Sequence, residues 1–194
     1  MRKIFALLVF FISIAFAAPA AYAEIPGLPD EQERKAGPLV VFSDDLIFSV
    51  KEPEGWTGDI ENAPKLSAGV VLYRSSETIE KHTTLIAIRI SRKVDENTAE
   101  DLAHDMQQYR SLYPDVEFLT LKTPHPSYRT YAKLFAIKNS SYQYVSYVNP
   151  GRESPYLFIV TMGSLKKKAA EADLKAFQQI VGTLDFLEAK PKHK

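Results

Sequence analysis

The chain contains no cysteine, and this absence removes several kinds of chemistry together. Its 194 residues can form no disulfide, offer no thiolate nucleophile and build no cysteine-ligated zinc or iron–sulfur centre. Histidine is scarce as well, and none of the four histidines stands at the spacing of a known zinc motif. We therefore expect no metal site and no cofactor.

Glycine is uncommon, with eight residues, and the catalytic motifs that depend on it are missing. The sequence contains no P-loop, no G-x-G-x-x-G and no G-x-S-x-G elbow around a serine. An S-x-x-K match from Ser164 to Lys167 lacks its companion motifs. These gaps predict that the protein is not an enzyme. One alternative stays open: a hydrolase whose residues converge only in the fold, with His125, between Pro124 and Pro126, among them.

An excess of charge of either sign is missing too, since 24 basic residues balance 24 acidic ones. Without Arg2 and Lys3, 22 basic residues remain against 24 acidic ones, a net charge of −2. A chain so close to neutral has no broad basic surface for nucleic acid. The short lysine runs at 166–168 and 190–194 are typical of a solvated helix face and a chain end.

A long apolar run occurs only at the N-terminus. Arg2 and Lys3 precede the apolar stretch Ile4–Ala18, and Ala21 and Ala23 form a small-x-small cleavage pattern. This order predicts a signal peptide over residues 1–23, cut near Ala23. The stretch of about 15 residues is short for a membrane-spanning helix, which needs roughly 20, so a retained anchor is the less favoured alternative. We expect a periplasmic or secreted protein with no membrane span after cleavage.

The remaining 171 residues suit a single domain. Residues 24–38 are rich in proline and glycine without an apolar period, and they predict a flexible arm. We place the folded domain at residues 39–187 and a basic tail at 188–194.

Apolar spacing predicts the elements of this domain. Helical spacing indicates two helices, Thr98–Tyr113 and Leu165–Gly182. The apolar stripe of the first helix includes Leu102, Ala103 and Met106. Short apolar runs bounded by turn residues predict strands, at Leu39–Phe42, Leu46–Val50, Gly69–Tyr73, Thr83–Ile90, Val116–Leu121, Thr130–Lys138, Tyr142–Val148 and Tyr156–Met162. Because the last four strands have short links, they predict an antiparallel meander. Strands and helices segregated in this way indicate an α+β fold.

Two clusters of residues carry a resemblance to a known family. Near the start they are Phe48, Pro53, Gly55 and Trp56; near the end they are Phe177, Ile180, Val181, Thr183 and Phe186. With the order of elements over residues 39–187, the chain resembles the PsbP/Mog-type α/β/α sandwich family, which includes DcrB-like bacterial envelope proteins. The resemblance implies an antiparallel-rich sheet between helices. It also implies a non-enzymatic role, as in photosystem subunits, GTPase regulators, secretion chaperones or envelope proteins.

Aromatic residues are the most informative feature of the domain, with ten tyrosines and one tryptophan. Tyr142 and Tyr144 share one side of a predicted strand, and Tyr131 lies on the strand before it. Tyrosine and tryptophan are enriched at binding surfaces, so these three tyrosines are candidates for a docking surface. The alternative is that they line the sheet beneath a helix. Trp56 lies in a predicted turn, either as a binding residue or as an anchor that closes one end of the core.

These observations lead to one functional hypothesis with two alternatives. We expect an exported, non-catalytic protein-interaction or assembly-accessory domain of the cell envelope, which docks another envelope protein. A carrier with an apolar pocket for a small molecule or lipid between sheet and helix is the first alternative. The hydrolase is the second.

Overall fold

The computed structural model describes residues 37–43, 46–93, 98–137, 140–152 and 154–189. The predicted signal peptide, the arm up to residue 36 and the tail from residue 190 lie outside the described residues. The helices are α1 (Thr98–Leu112) and α2 (Lys167–Thr183), and a short 3₁₀ helix spans Ala63–Leu66. The strands are β1 (Leu39–Phe42), β2 (Leu46–Val50), β3 (Trp56–Asp59), β4 (Val70–Arg74), β5 (Thr84–Arg92), β6 (Glu117–Leu121), β7 (Arg129–Ile137), β8 (Ser141–Asn149), β9 (Tyr156–Ser164) and β10 (Asp185–Ala189).

Seven of these strands form one antiparallel sheet in the order β3-β4-β5-β9-β8-β7-β6. The predicted meander is confirmed, because β6 to β9 pair in chain order. β9 lies at the centre, and its residues Tyr156 to Val160 are all buried. A strand covered on both faces needs an almost unbroken apolar sequence, and this segment has one.

Different elements pack against the two faces of this sheet. On one face, α2 packs Phe177, Ile180 and Val181 against β8 and β9. The small sheet β1-β2-β10 covers the same face, where Phe48 of β2 meets Phe158 of β9 with ring centroids 5.3 Å apart. The opposite face carries α1 and the 3₁₀ helix.

The α/β/α sandwich that the resemblance implied is therefore only partly correct. The mixed α/β architecture is present, but a second sheet shares one outer layer with α2. The physical reason is the pairing of β10 with β2, in which Phe186 stands opposite Phe48. Gly69 belongs to this contact, because a Cβ there would lie only 3.2 Å from the Phe48 ring.

Three local predictions needed correction. A strand begins at Trp56, directly after a turn in which Trp56 N donates to Pro53 O and Gly55 has a φ of +75°. The final strand runs to Ala189, two residues into the predicted tail, because it pairs with β2 as far as Leu46. In α1, Ala103 of the predicted apolar stripe is exposed.

No helix in the described parts of the chain has the length and apolar character needed to cross a membrane.

Candidate interaction surface

The three candidate tyrosines do not form one surface. In the β7–β8 register, Tyr131 stands opposite Tyr147, whereas Tyr144 stands opposite Leu134. Tyr131 therefore lies on the α1 face of the sheet, and Tyr142 and Tyr144 lie on the α2 face. The three tyrosines therefore do not share one face of the sheet, because the sequence of a strand does not fix its register with the next strand.

Tyr142 and Tyr144 belong to the packing beneath α2. Tyr144 is buried with its ring centroid 6.0 Å from that of Phe177, and Tyr142 is half-buried beside the same cluster. Burial, and next the charge of Glu171, raise the pKa of Tyr144. Phe177, Ile180 and Val181 of α2 pack in the same buried cluster as Tyr144.

Trp56 closes one end of the core. It is buried in the cluster beneath α2, and the Arg74 guanidinium carbon lies 5.6 Å from the centroid of its ring. Arg74 also makes an ion pair with the buried Asp173 of α2. The arrangement agrees with the interpretation of Trp56 as an anchor and not as a binding residue.

His125 fastens a loop to the C-terminal strand. Its Nδ1 accepts hydrogen bonds from the backbone N–H groups of Ser127 and Tyr128, at 3.0 and 2.9 Å. Its Nε2 therefore carries the proton and donates to Leu184 O at 2.7 Å. Both ring nitrogens therefore form hydrogen bonds with backbone groups. The Tyr128 hydroxyl adds a second link to this strand, since it donates to Asp185 at 2.6 Å. This geometry does not favour a hydrolase that uses His125 as its base.

A polar cluster lies beneath α1, and sequence patterns gave no sign of it. The Tyr147 hydroxyl donates to the Asp105 carboxylate of α1. Arg89 of β5 points to the same side of the sheet, since Arg89 and Tyr147 both pair with Ile159. Burial raises the pKa of Asp105 and lowers that of Arg89, and burial together with the Asp105 charge raises the pKa of Tyr147. The hydrogen bond between Tyr147 and Asp105 therefore joins α1 to β8 of the sheet.

The stability of the wild-type protein is expected to fall as Asp105 ionises with rising pH. An Asp105→Asn variant should not show this fall. Because burial raises the pKa of Asp105 above its ordinary 3.8, the folded protein binds more protons than the unfolded chain just above that pH. The free energy of unfolding then falls as pH rises through this window, and asparagine cannot ionise. Urea unfolding between pH 4 and 7 measures the difference, with Asp115→Asn on an exposed turn as control. Parallel pH profiles for wild type and D105N would contradict the assignment.

The edges of the sheets differ in how they are protected. Glu52 accepts a hydrogen bond from the N–H of Gly58 in β3, and the Tyr128 hydroxyl accepts one from the N–H of Phe186 in β10. Among the described residues, no side chain or strand bonds the outer backbone groups of β6. An unpaired edge strand is a template for pairing with another chain. We call Glu117–Leu121, with this open side, the β6 edge.

Apolar side chains flank the β6 edge on both faces of the sheet. Leu119, on the α2 face, is 53% exposed. On the α1 face, Phe118 packs edge-on against Phe135 at 4.8 Å, and Phe135 meets Tyr109 at 5.0 Å. Tyr113, at the end of α1, extends this aromatic cluster to the surface. An edge strand bordered by apolar groups is suited to hold another extended segment.

A second exposed apolar area lies on the small sheet. Val40 and Phe42 of β1 face away from the core, and Leu187 is exposed where β10 shifts register. The β6 edge is the better candidate because an unpaired backbone and apolar side chains on both faces of the sheet occur there together.

Comparison with known proteins finds similarity to solved structures and none to a family model or a curated sequence. The chain is similar to the solution structure of cyanobacterial PsbP (CyanoP) from Synechocystis sp. PCC 6803, with 12% identity and a TM-score of 0.47. The similarity covers 72% of this chain and 86% of that one. This similarity and the resemblance seen in the sequence both name PsbP; the Mog and DcrB-like parts of the resemblance stay predictions.

Proposed function

We propose that this protein is an exported, non-catalytic interaction domain of the cell envelope, and that it docks a partner protein along the β6 edge. Export rests on the leader pattern of residues 1–23. The observation that supports docking is the open β6 edge with the exposed side chain of Leu119 beside it. The β6 edge is a different surface from the one predicted from Tyr131, Tyr142 and Tyr144.

Docking proceeds by strand addition. An extended segment of the partner hydrogen-bonds to the unpaired N–H and C=O groups of β6 and becomes an eighth strand of the sheet. Its side chains alternate between the two faces, so one set packs on Leu119 and the other on Phe118. Backbone bonds supply affinity in this mode, and side-chain contacts supply specificity.

A non-catalytic role is supported by how the polar groups are used. The ring of His125, the buried Asp173 and the Asp105–Tyr147 pair each hold two elements of the fold together. Each of these groups therefore has a structural task that explains its position.

Site-specific photo-cross-linking in the native envelope tests the docking surface. A photoreactive amino acid at Leu119 is expected to form a cross-link to a discrete partner protein, whereas one at Leu165, which is also highly exposed, is not. Leu119→Lys should weaken binding of the cross-linked partner at least about tenfold, since a charge replaces the apolar contact. Cross-links at Leu165 but not at Leu119 would place the partner elsewhere.

A further inference from the structure

We infer that the segment added to β6 is acidic, and that Arg110 and Lys133 select it. The inference rests on the proposed docking at the β6 edge and specifies the chemistry of the partner. It is carried by the position of two basic side chains along one side of that edge.

Both basic groups stand on the α1 side of β6. Phe118 and Thr120 alternate with Leu119, so their side chains share the face on which α1 packs. The guanidinium carbon of Arg110 lies 5.0 Å from the centroid of the Phe118 ring. The Lys133 ammonium donates to Thr120 Oγ1 at 2.8 Å. Any strand paired with β6 would therefore place its α1-side residues about 5 Å from Phe118 and Thr120, within reach of both cations.

Neither Arg110 nor Lys133 forms an ion pair with a carboxylate in the described part of the chain. The ion pairs between described residues are Arg74–Asp173 and Lys167–Glu171, and neither includes Arg110 or Lys133. Glu117 is on the other side of the pleat, since it alternates with Phe118. The partner's carboxylates would therefore complete two charge-assisted contacts that the described residues leave open.

The same cations disfavour the wrong partners. A basic segment added to β6 would bring like charges together along the α1 side, and like charges placed opposite each other destabilise strand pairs. Basic residues at a sheet edge also serve to prevent aggregation without binding anything. That protective role predicts no binding of an acidic strand, so the two explanations give opposite results in one experiment.

The test uses two synthetic peptides and the full chain. One fluorescent peptide alternates glutamate with valine over eight residues, and the other alternates lysine with valine. Fluorescence anisotropy is expected to show the acidic peptide binding at least about tenfold tighter than the basic one at low salt, with the difference shrinking as salt rises. Amide NMR shifts should report binding at Phe118, Leu119 and Thr120.

Charge variants identify the selecting residues. The double variant R110Q/K133Q should bind both peptides with similar affinity, whereas K168Q/K175Q, with the same change of charge on the exposed side of α2, should keep the preference. Leu119→Lys should weaken binding of both peptides.

The other possible results contradict either the acidic preference or the docking at β6. Equal binding of both peptides by the unmodified protein, lost in Leu119→Lys, overturns the acidic preference and leaves docking at β6 in place. Failure of the acidic peptide to bind, together with a cross-link at Leu119, also overturns the preference and shows that the partner uses other chemistry. Absence of both peptide binding and the cross-link overturns the docking proposal with it.

Discussion

Replacing Phe177 with alanine is expected to lower the free energy of unfolding by about 3–5 kcal/mol, the range typical of a buried phenylalanine. Its side chain is fully buried between α2 and the sheet, where it meets Tyr144. Removal leaves a cavity whose walls belong to a helix and a sheet, so they cannot collapse easily. Urea unfolding of the full chain, followed by circular dichroism, measures the change.

Phe42 provides the matched control for this experiment. It is also a phenylalanine, but its side chain is 68% exposed on the outer face of the small sheet. Phe42→Ala should therefore change the free energy of unfolding by less than about 0.5 kcal/mol. Equal effects of the two substitutions would mean that α2 does not cover the sheet as described.

Replacing Arg74 with alanine is expected to cost about 3 kcal/mol of stability. The substitution leaves the carboxylate of Asp173, whose side chain is 2% exposed, without its cationic partner. Breaking a buried pair typically costs 3–5 kcal/mol, and the 43% exposure of the Arg74 side chain places this pair at the lower end. Loss of the guanidinium above Trp56 should also shift the fluorescence of the only tryptophan in the chain.

Two further variants separate charge from packing at this site. Asp173→Asn should cost only about 1 kcal/mol, because Arg74 keeps access to water and an amide oxygen can still accept its hydrogen bond. The double variant Arg74→Met with Asp173→Leu should recover much of the stability that Arg74→Ala loses, since no buried charge remains. An Asp173→Asn effect as large as that of Arg74→Ala would contradict the idea that an orphaned carboxylate causes the loss.

Elements with strong local patterns were predictable from the sequence. β9 begins with a run that is apolar at every position from Tyr156 to Val160, and the predicted segment Tyr156–Met162 falls inside the observed strand. α2 has a regular apolar stripe through Phe177, Ile180 and Val181, and its bounds shift by two residues or fewer. The strand at Trp56 escaped prediction, because its four residues include Gly58 and Asp59, which rarely occur in strands.

The candidate site was less predictable than the fold. Alternation along one strand correctly placed Tyr142 and Tyr144 on one face, because successive side chains point to opposite sides. It could not place Tyr131, since a shift of one residue between β7 and β8 would move that ring to the other face. Exposure of β6 depends on which strands become neighbours, and its sequence is that of an ordinary strand.

By itself the sequence determined the exclusion of disulfide and thiolate chemistry, the α+β class, the meander and most element bounds, because these depend on residue types and on periods of a few residues. The tertiary structure decided that β10 joins β2, that the tyrosines are divided between two faces, and that β6 keeps an open edge beside Arg110 and Lys133. These features arise from contacts between residues far apart in the chain, and their register is set by the packing of the whole core.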